Sequence, residues 1–256
     1  MRITKRKLRI GAALGSGGAR GMAHLGALCA LEEAGISFDV YAGTSAGSIV
    51  GALRARGYTC DDIRELVARI DLKSALLSVA SSGTSRPALA LLRRLLGDCD
   101  FSELQKPFAA VATDTSDGSE VVLREGNVAE AVLASCSIPP LFRGVRLGGR
   151  TLADGAFVNG IPGNRARDLG ADFVIGVALS PAEFYRVRDF YTASGERKLI
   201  LQTGFDSCDV LLEPDLSRFS PADVFGGAEM FDIGYDCAQK SAGEILDKLA
   251  KAKRRA

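Results

Sequence analysis

Residues 43–47 read Gly43-Thr44-Ser45-Ala46-Gly47, a Gly-x-Ser-x-Gly pattern. A serine in such a setting can attack an acyl carbonyl if a base takes its proton and hydrogen-bond donors hold the resulting oxyanion. The surroundings suit that chemistry. An apolar run from Phe38 to Ala42 precedes the motif, and Ile49, Val50 and Leu53 follow on one side of a helical pattern. The order is strand, sharp turn, helix. Gly43 and Gly47 leave room for a tight turn and for dihedrals that a side chain resists. Ser45 is expected at the tip, where a helix N-terminus favours developing negative charge. The five-residue pattern alone fits equally a glycine-rich turn with an idle serine. A base and an oxyanion hole must therefore be found elsewhere in the chain.

The familiar base is histidine, and the chain has one, His24, which precedes the serine. The Ser, Asp/Glu, His order of an α/β-hydrolase triad is excluded by that inventory. His24 falls in the first turn of a helix and reads first as a packing or capping residue, with proton acceptor as the lesser alternative. A lysine or a carboxylate remains as candidate base, and Asp154 is the best placed. It follows a short apolar segment and precedes Gly155-Ala156, small residues that let another backbone come close. Held ionised within hydrogen-bond reach, it can take the serine proton. A turn-forming Asp-Gly is the competing reading of the same residues.

Upstream, Gly15-Ser16-Gly17-Gly18-Ala19-Arg20-Gly21 joins an apolar run, Leu8 to Leu14, to a helical pattern of Met22, Leu25, Leu28 and Leu31 that stops near Gly35. Three readings compete. A dinucleotide fingerprint fails because Arg20 stands where the third glycine belongs and the next strand ends without an acidic residue. A phosphate-binding loop fails because no Gly-Lys-Ser/Thr follows. The third reading is an oxyanion hole: main-chain N–H groups of Gly17, Gly18 and their neighbours at a helix N-terminus need no side chain to act, and this reading gains from Ser45 where the others do not. If the two strands are parallel neighbours, the two glycine turns lie side by side.

The rest of the chain must hold these segments together. Asp61-Asp62 opens a helix with Ile63, Leu66, Val67 and Ile70 on one face. Residues 72–97 contain Leu76-Leu77, a break at Ser81-Ser82-Gly83-Thr84-Ser85 and a leucine-rich helix from Pro87 to Leu96. That segment reads as core helix with a loop, or as a lid or acyl-chain surface. Strands are expected at Phe108–Thr113 and Val121–Leu123, with a turn at Asp117-Gly118. A helix from Val128 to Cys136 stops at Ser137-Ile138-Pro139-Pro140. Next come a strand pair around Gly148-Gly149, a helix from Pro162, a buried strand over Phe173–Leu179, and short strands at Leu199–Gln202 and Val210–Leu212. The chain closes with an amphipathic helix carrying Ala238, Ala242, Ile245, Leu246 and Leu249 on one side. Strands alternate with helices, so the 256 residues are expected to form a single α/β domain with a mostly parallel central sheet and helices on both faces.

Composition narrows the function. A net charge of +1 gives no bulk argument for nucleic acid. Basic residues gather at Arg2, Lys5, Arg6, Lys7 and Arg9 and at Lys248, Lys251, Lys253, Arg254 and Arg255. They read as solvated termini or as a weak attraction to an anionic membrane, so peripheral membrane contact is carried as a partner expectation. No apolar stretch approaches the ~20 residues of a membrane span, and the apolar run after the basic start is too short for a signal peptide. Six cysteines without paired spacing (29, 60, 99, 136, 208 and 237) suggest reduced thiols in the cytoplasm and no metal site. No cofactor is called for.

Taken together, the motifs resemble those of the patatin-like phospholipase family. Gly17-Gly18-Ala19-Arg20-Gly21 with His24 and Leu25 is similar to its oxyanion loop and first helix. Gly43-Thr44-Ser45-Ala46-Gly47 is similar to its nucleophile elbow, and Asp154-Gly155-Ala156, with Asn159 and Pro162 beyond, to its Asp-Gly-Ala/Gly segment. Ala134-Ser135 with Ser137-Ile138-Pro139 resembles the stretch leading into it. The resemblance covers about residues 8–180, and it departs from the family at Ser16, where the loop usually has a first glycine. It implies a Ser–Asp dyad: Ser45 as nucleophile, Asp154 as base, and the Gly17–Arg20 loop as oxyanion hole. It also implies hydrolysis of lipid esters of the phospholipase A or lysophospholipase type. The alternative is a catalytically weak lipid-sensing or regulatory protein on the same fold.

Overall fold

The computed structural model describes residues 7–70, 84–139 and 144–255. The chain begins with β1 (Ile10–Leu14), the glycine loop and α1 (Met22–Glu33). β2 (Val40–Thr44) leads into α2 (Ala46–Arg56), α3 (Cys60–Ala68) and α4 (Arg86–Leu96). β3 (Phe108–Asp114) and β4 (Glu120–Leu123) turn back on each other at Asp117-Gly118. α5 (Val128–Ser135), β5 (Val145–Leu147), β6 (Arg150–Asp154) and the short α6 (Gly163–Asp168) follow. The last part holds β7 (Phe173–Val177), β8 (Val187–Tyr191), β9 (Arg197–Leu201), β10 (Val210–Leu212) and α7 (Gly227–Arg255).

One eight-stranded sheet runs β10-β7-β1-β2-β3-β6-β5, with β4 also paired to β3. Neighbours from β10 to β3 are parallel, and β6 and β5 are antiparallel additions. Leu14 lies opposite both Gly43 and Val177, so the loops after β1, β2 and β7 leave the same sheet edge side by side. Asp154 lies opposite Ala112 of β3, which brings β6 to that edge from the other direction.

Alternation along the strands sends side chains to two cores. Ile10, Ala12, Leu14, Tyr41, Phe108 and Ile175 pack with residues of α1 to α5 and α7. Ala13, Val40, Ala42 and Val174 pack with Ala166 of α6 and with Ile161, Tyr185 and Phe205. The fold is thus α/β, a mostly parallel sheet with helices on both faces, the second face thinly covered. Helix α1 is buried on all sides, because α7 crosses its outer surface. Two glycines set that crossing: a Cβ on Gly26 would lie 2.0 Å from the Phe231 carbonyl oxygen, and one on Gly234 2.0 Å from that of Ala23.

Four expectations are corrected or bounded. Cys29 of α1 and Cys60 of α3 form a disulfide, with Cα atoms 5.9 Å apart, so the reading of six reduced thiols fails for this pair. The packing of α3 on α1, which spacing in the chain does not reveal, brings the two together. Leu246 is 42% exposed, while Ala238, Ala242, Ile245 and Leu249 are buried; the i, i+3/i+4 stripe leaves its neighbour about 100° off the face. Helix α4 buries Leu92, Leu95 and Leu96 against the core, as its core reading requires. Leu76-Leu77 and Ser81-Ser82-Gly83 of the lid alternative, and the basic Arg2, Lys5 and Arg6, lie outside the described residues.

Candidate active site

β2 ends at Thr44 and α2 begins at Ala46, so Ser45 alone makes the turn. It has φ 52° and ψ −123°, the one positive-φ residue other than glycine among the described residues. Such a conformation costs on the order of 1–3 kcal/mol and persists only where surroundings enforce it. Both motif glycines are needed. A Cβ on Gly43 would lie 2.4 Å from the Gly47 carbonyl oxygen, and one on Gly47 would lie 2.1 Å from that of Leu14. Hydrogen bonds hold the serine on each side. Its N–H donates to Ser135 Oγ at 2.9 Å, and its carbonyl accepts from Ser48 N–H at 2.8 Å and Ser48 Oγ at 2.6 Å.

The structure brings Ser45 and Asp154 together from 109 residues apart: Ser45 Oγ donates to Asp154 Oδ2 at 2.7 Å. Asp154 Oδ1 accepts from the Ala156 N–H at 2.9 Å. Asp154 is 1% exposed. That burial pushes its carboxyl up to about 6, while the bonds from Ser45 and Ala156 pull the other way. Its backbone is pinned by Thr113 Oγ1 donating to its carbonyl at 2.7 Å and by its own N–H donating to Ser137 O at 2.9 Å. Gly155 follows because a Cβ there would lie 2.3 Å from the Val111 carbonyl oxygen. A second tie joins the two segments, Thr44 Oγ1 donating to Asn159 O at 2.7 Å. The Asn159 amide donates to Glu120 Oε1 at 2.9 Å, and Glu120 holds Arg165 through two bonds of 2.9 and 2.8 Å.

The four loop residues divide into two pairs. Ala19 N–H donates to Pro221 O at 2.7 Å and Arg20 N–H to Gly17 O at 3.4 Å. Among the described residues, no acceptor takes the N–H groups of Gly17 and Gly18. Arg20 Nε also donates to Gly17 O, at 3.2 Å, and its Nη2 donates to Ser180 Oγ at 2.8 Å. In a trans peptide the C=O and N–H point oppositely, so clamping the Gly17 carbonyl aims the Gly18 N–H away from Arg20. Gly18 has φ 62°, and a Cβ there would lie 2.3 Å from Pro221 O. Ser16, the departure from the expected glycine, donates its N–H to Gly160 O at 2.8 Å, and its carbonyl accepts from Tyr185 Oη at 2.7 Å.

His24 is fully buried, with Nε2 2.7 Å from Gly15 O. The ring nitrogen facing a carbonyl must carry the proton, and burial pushes the pKa down to about 4. The imidazole is neutral and holds the start of the glycine loop, in keeping with the packing reading. Two side chains at the serine were not singled out individually from sequence. Ser48 is one; Cys136 is the other, its Sγ 3.7 Å from Ser48 Oγ. Burial and the charge of Asp154 push the Cys136 thiol up to about 12, so it stays protonated. Ser135 had a signal, being a polar residue closing the apolar helix α5, but its partner could not be read from that. Among the described residues no group of His, Cys, Asp and Glu side chains is placed to hold a metal ion.

A family profile described as patatin-like phospholipase matches residues 12–166, the span that holds Ser45, Asp154 and the glycine loop. The chain belongs to the patatin-like phospholipase family. Among curated patatin-like relatives, an uncharacterized NTE family protein of Mycobacterium tuberculosis is 35% identical over 187 residues, covering 71% of this chain and 52% of its own. Patatin-like phospholipase domain-containing protein 6 of Mus musculus is 33% identical, covering 94% of this chain and 21% of its own. The chain thus spans about half of the mycobacterial relative (52%) and a smaller part of the mouse protein. In fold, it is similar to VipD from Legionella pneumophila, with TM-score 0.62 and 14% identity over 94% of this chain and 68% of that one. Human GIVD cytosolic phospholipase A2 gives TM-score 0.56 and 12% identity over 97% of this chain and 63% of that one.

Proposed function

We propose that this patatin-like protein is a serine acylhydrolase that cleaves carboxylic ester bonds of lipids, in the manner of a phospholipase A or lysophospholipase. The observation that carries the reading is the 2.7 Å bond from Ser45 Oγ to the buried carboxylate of Asp154. Family membership and the phospholipase name of the mouse relative support lipid esters as the substrate class.

In this reading Asp154 accepts the Ser45 proton as Oγ adds to the ester carbonyl. The negative charge passes to the carbonyl oxygen, which the free N–H groups of Gly17 and Gly18 stabilise. The N-terminal end of α2 adds a favourable dipole. Collapse of the tetrahedral species breaks the ester C–O bond, and Asp154 returns its proton to the departing alcohol. Water then attacks the acyl-serine, giving its proton to Asp154. The second collapse frees the fatty acid and restores the Ser45 hydroxyl. A carboxylate is an ordinary base, and its burial raises its basicity toward what the first step needs. Ser135 holds the Ser45 N–H, so that group is not available to the oxyanion.

The test is hydrolysis of a medium-chain p-nitrophenyl ester and of a phospholipid panel by the wild type, Ser45→Ala and Asp154→Asn. Both variants are expected to lose at least about a thousandfold in kcat. Equal rates in all three would overturn the reading. A fluorophosphonate probe separates the lipid-sensing alternative, since labelling at Ser45 requires an activated serine.

A further inference from the structure

The β8–β9 hairpin belongs to none of the motifs above. It stands apart from the main sheet as a two-stranded antiparallel ribbon pairing Val187 with Leu201, Asp189 with Leu199, and Tyr191 with Arg197. Residues directly opposite share a face, so these six side chains point one way. The other face is the anchored one. Phe190 is buried, with its ring 5.4 Å from that of Phe157, three residues after Asp154. Just past β9, Gln202 accepts from the Gly160 N–H at 2.6 Å and donates to Ala156 O at 2.7 Å. Just before β8, Tyr185 donates to Ser16 O of the glycine loop. The hairpin is thereby fastened to both segments that surround Ser45.

Its outward face is strongly apolar. Val187 is 47% exposed, Tyr191 64%, Leu199 70% and Leu201 71%, with Phe184 next to the ribbon at 60%. The two charges on that face cancel, since Arg197 Nε donates to Asp189 Oδ1 at 2.7 Å. A neutral apolar face with a tyrosine at its end matches the boundary layer of a bilayer whose head groups carry no net charge. It is a poor match for an anionic polymer or a charged peptide, which would need unpaired charges. It is also too small for a stable pairing of two copies. Two five-residue strands cover about 17 by 10 Å, on the order of 200 Å2, against roughly 800 Å2 per partner in a stable dimer.

We propose that the Val187, Tyr191, Leu199 and Leu201 face seats the protein on a zwitterionic phospholipid surface and so presents the Ser45 site to the membrane. The reason for such a surface rests on the lipid-ester reading above, but the test does not. The chain has no tryptophan, so one introduced residue is a clean reporter. Leu199→Trp and, as control, Leu246→Trp on α7 are each made in the full chain with Ser45→Ala, which leaves the vesicles intact whether or not the wild type hydrolyses them. With phosphatidylcholine vesicles, Trp emission from the Leu199→Trp protein is expected to shift to the blue and that of the control to stay. Leu199→Ser with Leu201→Ser is expected to cut the vesicle-bound fraction about tenfold or more in sedimentation, with an unchanged circular dichroism spectrum. Three results would each overturn the proposal: no shift at position 199, binding that requires anionic lipid and disappears in salt, or a shift that follows protein concentration without vesicles, which would mark contact between copies. Loss of ester hydrolysis in the wild type with retained vesicle docking would sink the enzymatic reading alone.

Discussion

A carboxylate sealed beside a serine accepts a proton only once its own has gone. With the Asp154 carboxyl pushed up to about 6 by burial, kcat/KM is expected to climb tenfold per pH unit below that value and to level off above it. A pH–rate profile on a neutral ester checks this. The same shift has a stability cost of definite sign. The folded carboxyl holds its proton more tightly than an unfolded one near 3.8, so the fold loses stability as pH rises from about 4 to about 6. Asp154→Asn removes the buried charge and is expected to unfold at higher temperature than the wild type at pH 8, by an amount equivalent to about 1–3 kcal/mol. Melting curves at pH 4 and pH 8 measure it, and the difference should shrink at the lower pH. Ser135 acts on the same serine through its backbone. Ser135→Ala strands the Ser45 N–H and is expected to lower kcat about 10- to 100-fold while KM stays near the wild-type value.

At the scale of elements, the glycine loop is most sensitive at Gly18. Gly18→Ala would place a Cβ 2.3 Å from Pro221 O at a positive φ, so both activity and melting temperature are expected to fall. Much of this level could be read from the sequence because each signal is local. Apolar runs ending in glycine turns mark β1 and β2 with the helices after them; the inventory of one histidine leaves a lysine or a carboxylate as acceptor, and the Asp-Gly-Ala segment points to Asp154 among them. What escaped depends on contacts between distant segments. The family pattern puts Ala19 and Arg20 with Gly17 and Gly18 in one set of donors; the Pro221 carbonyl, brought in from 202 residues away, takes the Ala19 N–H, and the Gly17 carbonyl of the local turn takes that of Arg20. β8 escaped because Val187-Arg188-Asp189-Phe190-Tyr191 alternates only weakly, and its apolar side chains face outward as well as in. The Ser135 bond to Ser45 spans 90 residues, beyond any pattern of spacing.

Across the whole molecule, the disulfide ties α1 to α3 over 31 residues. Closing a loop of that length restricts the unfolded chain by about 3.7 kcal/mol in the chain-entropy view. Cys60→Ser is therefore expected to melt several degrees below the oxidised wild type, and wild type in reductant should match the variant; equal melting points under oxidising conditions would count against the bond. Among the described residues no helix is long and apolar enough to cross a membrane.

His24 carries one more consequence. The chain's one imidazole is locked neutral in the interior, with a pKa near 4, and Cys136 beside the serine ionises only near 12. Between these limits Asp154 is the group at the site that changes charge, and by pH 7 it has already done so. A triad hydrolase times its turnover with a histidine that responds to every small acidification of its surroundings. In the proposed dyad the same response falls to Asp154, whose carboxyl near 6 lies close to an ordinary imidazole's value of about 6.5, so turnover should hold steady from about pH 7 to pH 9 and fall away on the acid side.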